Sequence, residues 1–278
     1  QQLTPVVKPQ EEALLDNYYD TPYFFGSKAL QQISYVTIQL THVFRQQDDT
    51  FISILNHIRD GHPTSDDIAT LNTRYKPAFL PKAEDGYIRL TTHNRLADNY
   101  NETALLKLKG QRFAFDAEVG GEFPENNYPV EAQLVLKVGA QVMFVKNDAS
   151  GAHRYYNGRI GHVVSVDDES IEVKCPGDDT AIKVERDVWE NTRYVINDQT
   201  KTIDSEVLGT FKQYPLRLAW AITIHKSQGL TFDRAIIDAA QSFAPGQVYV
   251  ALSRCKSLEG LVLASPINPH NIINDTRV

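Results

Sequence analysis

The chain has 278 residues, long enough for one large or two ordinary domains around a sizeable core. Hydrophobic residues at 42% and charged residues at 23% give the balance of a globular protein, and no apolar run approaches membrane-spanning length, which argues against a membrane partner. The net charge of −7 speaks at first against nucleic acid, but the acidity is concentrated: residues 116–206 carry 18 acidic and 9 basic side chains, leaving 17 acidic and 19 basic elsewhere.

Residues 1–7 (QQLTPVV) read on their own as a strand end and a loop, without the features of a secretory leader. Between residues 11 and 33 an aromatic cluster of Tyr18, Tyr19, Tyr23, Phe24 and Phe25 reads as packing rather than base stacking. Residues 35–40 (YVTIQL) alternate β-branched side chains and predict a strand. Residues 50–59 place Phe51, Ile54, Leu55 and Ile58 on a helical stripe that stops before Gly61. Ser65 is expected to cap a second helix over 66–75, with two acids in its first turn. Residues 87–90 predict another strand. It delivers the polar row Thr91-Thr92-His93-Asn94 to a helix with Ala97, Tyr100, Ala104, Leu105 and Leu108 on one side.

From residue 116 to 206 the texture changes to turn-rich sequence and short β-like runs at 133–138, 141–146, 160–166, 170–174, 181–184 and 188–196. Turns such as Tyr156-Asn157-Gly158 and Pro176-Gly177-Asp178 separate them, a pattern that predicts a small β-barrel. After residue 206 the α/β character returns. The apolar run from Leu218 ends at Thr223 and Ile224 and gives way to His225, Lys226, Ser227 and Gln228. Such a row suits a strand-to-helix turn at a sheet rim, where donors converge on phosphate. Residues 234–239 (RAIIDA) predict a short buried parallel strand. Pro245-Gly246 then opens a helix with Val248, Tyr249 and Leu252 on its apolar face and Ser253-Arg254 at its end. Residues 260–264 predict a final strand before a polar tail. Cys175 and Cys255 are far apart and read as reduced packing residues of an intracellular protein, and no zinc-like spacing occurs among the eight histidines.

Several of these stretches match one family. T-I-H-K-S-Q-G-L-T-F from Thr223 and V-Y-V-A-L-S-R ending at Arg254 resemble the fifth and sixth motifs of superfamily 1 helicases, in the Pif/RecD-like branch. Gln2-Leu3-Thr4-Pro5-Val6 looks like the tail of the third motif, G-D-x-x-Q-L-x-P-V. L-T-x-x-F-R-Q, ending Arg45-Gln46, resembles the fourth. T-x-N-x-x-A-D-x-x-N (Thr92, Asn94, Ala97, Asp98, Asn101) is similar to a family segment on the DNA backbone, and residues 136–147 look like the entry to an inserted SH3-like barrel. Nothing in the sequence matches G-x-x-x-x-G-K-[ST], and the acidic magnesium-binding motif is missing.

The resemblance implies an α/β fold: a second RecA-like domain, with a P-loop NTPase-like parallel sheet, over 31–115 and 207–278. It implies an SH3-like β-barrel inserted over 116–206, and the tail of a first RecA-like domain with a linker over 1–30. The implied activity is that of the C-terminal portion of an ATP-dependent 5′–3′ DNA helicase, monomeric and inactive by itself. Such an enzyme translocates on single-stranded DNA and unwinds duplexes and G-quadruplexes, in repair, recombination and telomere maintenance. ATP and Mg²⁺ would be bound mainly by a first RecA-like domain outside this sequence. Arg45 and Arg254 would reach the γ-phosphate as catalytic arginines, with Gln2, Gln228 and Gly229 on the nucleotide side. Thr92, His93, Asn94, Thr223, His225, Lys226 and Ser227 would contact DNA. The compartment would be cytoplasm or nucleoid in a bacterium, nucleus or mitochondrion in a eukaryote. Two other readings stay open: the helicase segment of a conjugative relaxase or RecD-like recombination subunit, and a non-catalytic module whose acidic barrel docks a protein.

Overall fold

The computed structural model of the chain describes residues 7, 13–38, 40, 42–82, 85–196, 203–238, 242 and 244–273. Its main helices are α1 (Asp49–Arg59), α2 (Ser65–Asn72), α3 (Asn94–Lys107) and α4 (Gln247–Leu252). The first strands are β1 (Ile88–Thr91), β2 (Phe113–Asp116), β3 (Glu118–Gly121), β4 (Gln133–Leu136) and β5 (Gln141–Phe144). Then come β6 (Ile160–Val166), β7 (Ile171–Lys174), β8 (Ile182–Val184), β9 (Asp187–Ile196) and β10 (Ile203–Gln213). Four short strands close the set: β11 (Leu216–Leu218), β12 (Ala221–Thr223), β13 (Ala235–Ile237) and β14 (Leu261–Leu263). The described residues fall into two compact units, one from 1–79, 90–93 and 223–278, the other from 80–89 and 94–222.

The first unit is α/β. Helix α1 starts where the Asp48 carboxylate accepts from the Thr50 and Phe51 amides, and it buries Phe51, Ile54, Leu55 and Ile58. Helix α2 is capped one residue earlier than expected, by Thr64 instead of Ser65. The Thr64 hydroxyl accepts from the Asp67 amide while the Asp67 carboxylate accepts from the Thr64 amide, a reciprocal pair that Ser65 cannot form with the acid at this spacing. The sheet order is β12-β1-β13-β14, with β13 and β14 parallel and buried along their whole length. The Ile224 amide donates to the Thr91 carbonyl at 2.8 Å. That bond sets the two chain exits side by side, so the polar rows after β1 and β12 leave the same edge.

The second unit is antiparallel β with one helix. Its sheets run β11-β5-β6-β7-β8, β3-β10-β9 and β2-β4. Side chains of the β11-β5-β6-β7-β8 and β2-β4 sheets meet in one core containing Phe144, Val142, Leu216, Ile171 and Val173. Each of the six short runs anticipated between residues 133 and 196 is a strand. Helix α3 and strand β2 belong to this unit because Leu105, Leu108 and Phe113 pack on the same core, so the contact boundary runs upstream of the change in sequence texture.

Three local expectations are corrected. Residues 35–38 and 40 form no strand; Tyr35, Val36, Ile38 and Leu40 are exposed, and alternation without a neighbouring strand or a covering face has nothing to hold it. The aromatic cluster is not core packing: Tyr23 stacks on Phe25 with centroids 5.2 Å apart, yet Tyr18, Tyr19, Phe24 and Phe25 all remain exposed. The row after β12 is a turn without a following helix. Gly229, at φ 79°, ends that turn in the left-handed region, where a helix cannot continue.

Candidate nucleotide and nucleic-acid site

Two guanidinium groups from remote parts of the sequence come together in the first unit. Arg45 donates from Nε to the Thr231 hydroxyl at 2.8 Å and from Nη1 to the Ser253 carbonyl at 3.1 Å. Arg254 donates from Nη2 to the Ser253 hydroxyl at 3.0 Å, from Nε to the Val250 carbonyl at 3.1 Å and from Nη1 to the Leu230 carbonyl at 3.4 Å. Every one of these acceptors is neutral. Burial, and then the neighbouring Arg45 guanidinium, push Arg254 down to about 10, so it stays charged at neutral pH while carrying an uncompensated desolvation.

A cavity of about 330 Å³ opens beside this pair, lined by Phe44, Arg45, Gln46, Arg59, Tyr249 and Ser253 among others. Helix α4 supplies one wall. It is buried on more sides than an amphipathic stripe requires, with Gln247, Val248, Val250, Ala251 and Leu252 all inside, and Tyr249 is its one half-buried side chain. Gly246 enters it at φ 76°, a conformation that suits glycine where the chain turns sharply into the helix.

At the sheet edge the polar rows divide by exposure. His93, Asn94, Lys226, Gln228 and Gly229 are exposed and His225 is half-buried. Ser227 is 0% exposed and donates its hydroxyl to the Ile224 carbonyl at 2.7 Å, so it holds the turn and does not reach outward as expected. Thr223 and Thr92 are likewise buried: the Thr223 hydroxyl accepts from the Lys226 amide at 3.3 Å, and Thr92 Oγ1 lies 2.8 Å from His93 Nδ1. A tight turn must satisfy its own backbone groups, and short hydroxyl side chains do so at the cost of their availability. Gln2 lies outside the described residues. Gln228 and Gly229 directly precede Leu230 and Thr231, whose carbonyl and hydroxyl hold the arginines, so the stretch from Thr223 to Thr231 runs from the exposed rim to the arginine pair.

Sequence reasoning missed three members of this arrangement. Thr231 and Ser253 supply the acceptors for Arg45, and Gln46, 5% exposed, donates to the Ser253 carbonyl at 3.1 Å and the Cys255 carbonyl at 2.9 Å. All three lie inside the motif stretches, but a polar residue inside a motif does not announce which backbone group it will meet.

The chain as a whole is similar to known proteins. The chain is 39% identical to a Bacteroides sp Pif1 in complex with ADP-AlF4, over 99% of this chain and 63% of that one, with a TM-score of 0.87. It is 39% identical to Bacteroides Pif1 bound to ssDNA, with the same coverage and a TM-score of 0.70. Among relatives in sequence, the ATP-dependent DNA helicase Pif1 of Bdellovibrio bacteriovorus is 33% identical over 248 residues, and human PIF1 is 37% identical over 275. The homologues of this chain are Pif1 helicases. Its mixed α/β fold with a parallel sheet matches theirs. The chain spans 53% of the Bdellovibrio protein and 38% of the human one. No protein-family model matches the chain.

Proposed function

We propose that this chain is the C-terminal motor portion of an ATP-dependent DNA helicase. In this reading it moves along single-stranded DNA in the 5′–3′ direction and unwinds duplexes, G-quadruplexes among its substrates. The carrying observation is the convergence of Arg45 and Arg254 on Ser253, with neutral acceptors only. A guanidinium stays charged and donates two hydrogen bonds to phosphate oxygens, so a pair held on carbonyls and hydroxyls can exchange those acceptors for an anion. In the transition state of hydrolysis, negative charge spreads over the γ-phosphoryl oxygens. Arg45 and Arg254 neutralise it and report whether the γ-phosphate is present. Because nothing in the sequence matches G-x-x-x-x-G-K-[ST], this reading assigns Mg²⁺ and the phosphate loop to a RecA-like lobe outside this sequence. In this reading residues 31–115 and 207–278 serve as the second RecA-like domain, and the β-rich region over 116–206 as its SH3-like insertion.

The exposed rim of His93, Asn94, Lys226 and half-buried His225 takes the DNA backbone, with Thr92, Thr223 and Ser227 holding it in shape. Such donors position a strand without reading its sequence. Fluorescence anisotropy of this chain with a labelled single-stranded oligonucleotide tests the reading. Binding should weaken with salt, and Lys226→Ala should weaken it further and reduce the salt slope by roughly 0.7, the value for one phosphate contact on a single strand. Absence of binding at low salt would favour the protein-docking module instead.

A further inference from the structure

We infer that Gln46 is a positioning residue for Arg254, acting through the backbone on either side of it. The inference rests on the arginine reading above. The Gln46 side chain carries two N–H donors on one nitrogen, and both are used: one on the Ser253 carbonyl at 3.1 Å, the other on the Cys255 carbonyl at 2.9 Å. These two carbonyls flank Arg254. The amide therefore bridges the peptide that precedes the arginine and the carbonyl of the residue that follows it, from a segment more than 200 residues earlier in the chain, at a site that is 5% exposed.

The bracket is placed just past the end of a short helix. Helix α4 has six residues and ends at Leu252; past it the Arg254 amide donates to the Ala251 carbonyl and the Phe232 amide to the Arg254 carbonyl, and the carbonyls on either side of Arg254 are the two that Gln46 reaches. Arg254 Nε reaches back to the Val250 carbonyl, which steers the side chain without fixing the backbone that bears it. The residue type also fits. A lysine at 46 would add a third cation beside two guanidinium groups, and a glutamate has no N–H for the carbonyls and would set its oxygens against theirs. A neutral amide supplies both donors at no charge. The Ser253 carbonyl accepts Arg45 as well, at 3.1 Å, so Gln46 and Arg45 share one acceptor and the two arginines are tied through it.

The test uses the complete polypeptide, with single-strand-stimulated ATP hydrolysis as the readout. Gln46→Met keeps the length and removes both donors. It should lower kcat roughly 10- to 100-fold, the cost of misplacing a reacting group by about 1 Å. KM for ATP and affinity for single-stranded DNA should stay within about twofold, a split that loss of fold would not produce. In ¹⁵N-labelled chain, the Arg254 Nε–Hε signal should shift or broaden in the same variant. Should Gln46→Met fail to fold, Gln46→Asn takes its place: it keeps the amide but is one methylene short of reaching both carbonyls, and should lower kcat too. An unchanged kcat in the folded variant overturns the inference. Wild-type hydrolysis in Arg254→Ala would instead overturn the arginine reading itself, whatever Gln46 does.

Discussion

Two sets of charged side chains, one in each unit, are handled differently. In the β-rich unit they are paired with one another: Arg154 with Asp148 at 2.9 Å, Lys146 with Asp187 at 2.7 Å and Arg159 with Asp178 at 2.5 Å. Asp148 is the extreme case, with a side chain 1% exposed that accepts from the Arg154 guanidinium and from the Ser150 and Arg154 amides. In the α/β unit, Arg45 and Arg254 meet carbonyls and hydroxyls, and among the described residues neither has a carboxylate partner. Arg217 departs from the first pattern. Burial pushes it down, Glu131 and Asp98 partly restore it, and it donates to the Pro129 carbonyl. The contrast separates charge used to close a loop from charge left available. A guanidinium already satisfied by a carboxylate gains little from a phosphate, whereas one held on neutral acceptors gains the full attraction of the anion.

The sharpest way to break the contrast is to remove an arginine from each region. In the complete polypeptide, Arg254→Ala or Arg45→Ala should reduce single-strand-stimulated ATP hydrolysis by roughly 10³-fold or more, with much smaller changes in ATP affinity. Arg154→Ala should leave hydrolysis near wild type and lower stability; hydrolysis lost equally in Arg154→Ala would erase the distinction. Next in size, Phe144→Ala should cost about 3–5 kcal/mol in urea unfolding of the chain, because it empties a fully buried ring position beside Tyr155. A loss below about 1 kcal/mol would mean that the core around Phe144 is not what holds the β-rich unit.

The smallest effect is a pH dependence. The Arg154 guanidinium holds the Asp148 carboxyl well below the usual carboxylate range. A depressed carboxylate contributes stability that is full above the unfolded value, about 3.9, and is lost as pH falls below it. The urea midpoint should therefore drop between neutral pH and pH ~3 by more in wild type than in Asp148→Asn, which carries no titrating group at this site. Equal drops in both proteins would show that the pair does not feed the acid limb.

Much of the fold was legible because it rests on short-range rules. Short β-like runs bounded by turn residues marked every strand from β4 to β9 within a few residues, and the 3.6-residue stripe located α1. Residues 35–40 show the limit of the rule: the alternation is present, but a strand needs a neighbour, and a neighbour is a tertiary fact. The site was legible in outline for a different reason. Rows such as His225-Lys226-Ser227-Gln228 and the terminal Ser253-Arg254 interrupt apolar runs, and no core explains them.

By itself, then, the sequence determined the strands from β4 to β9 and helix α1, where the polar rows leave the sheet, and that two arginines far apart in the chain deserved to be weighed together. Only the tertiary structure decided which hydroxyls turn inward, as Ser227, Thr223 and Thr92 do, and which groups stay exposed, as Lys226 and His93 do. It alone brought Gln46 to the carbonyls around Arg254. The physical reason is one of range. Periodicity and turn chemistry act over a few residues and are written along the chain, whereas the acceptor that a buried donor finds is set by whichever backbone folding brings within 3 Å of it.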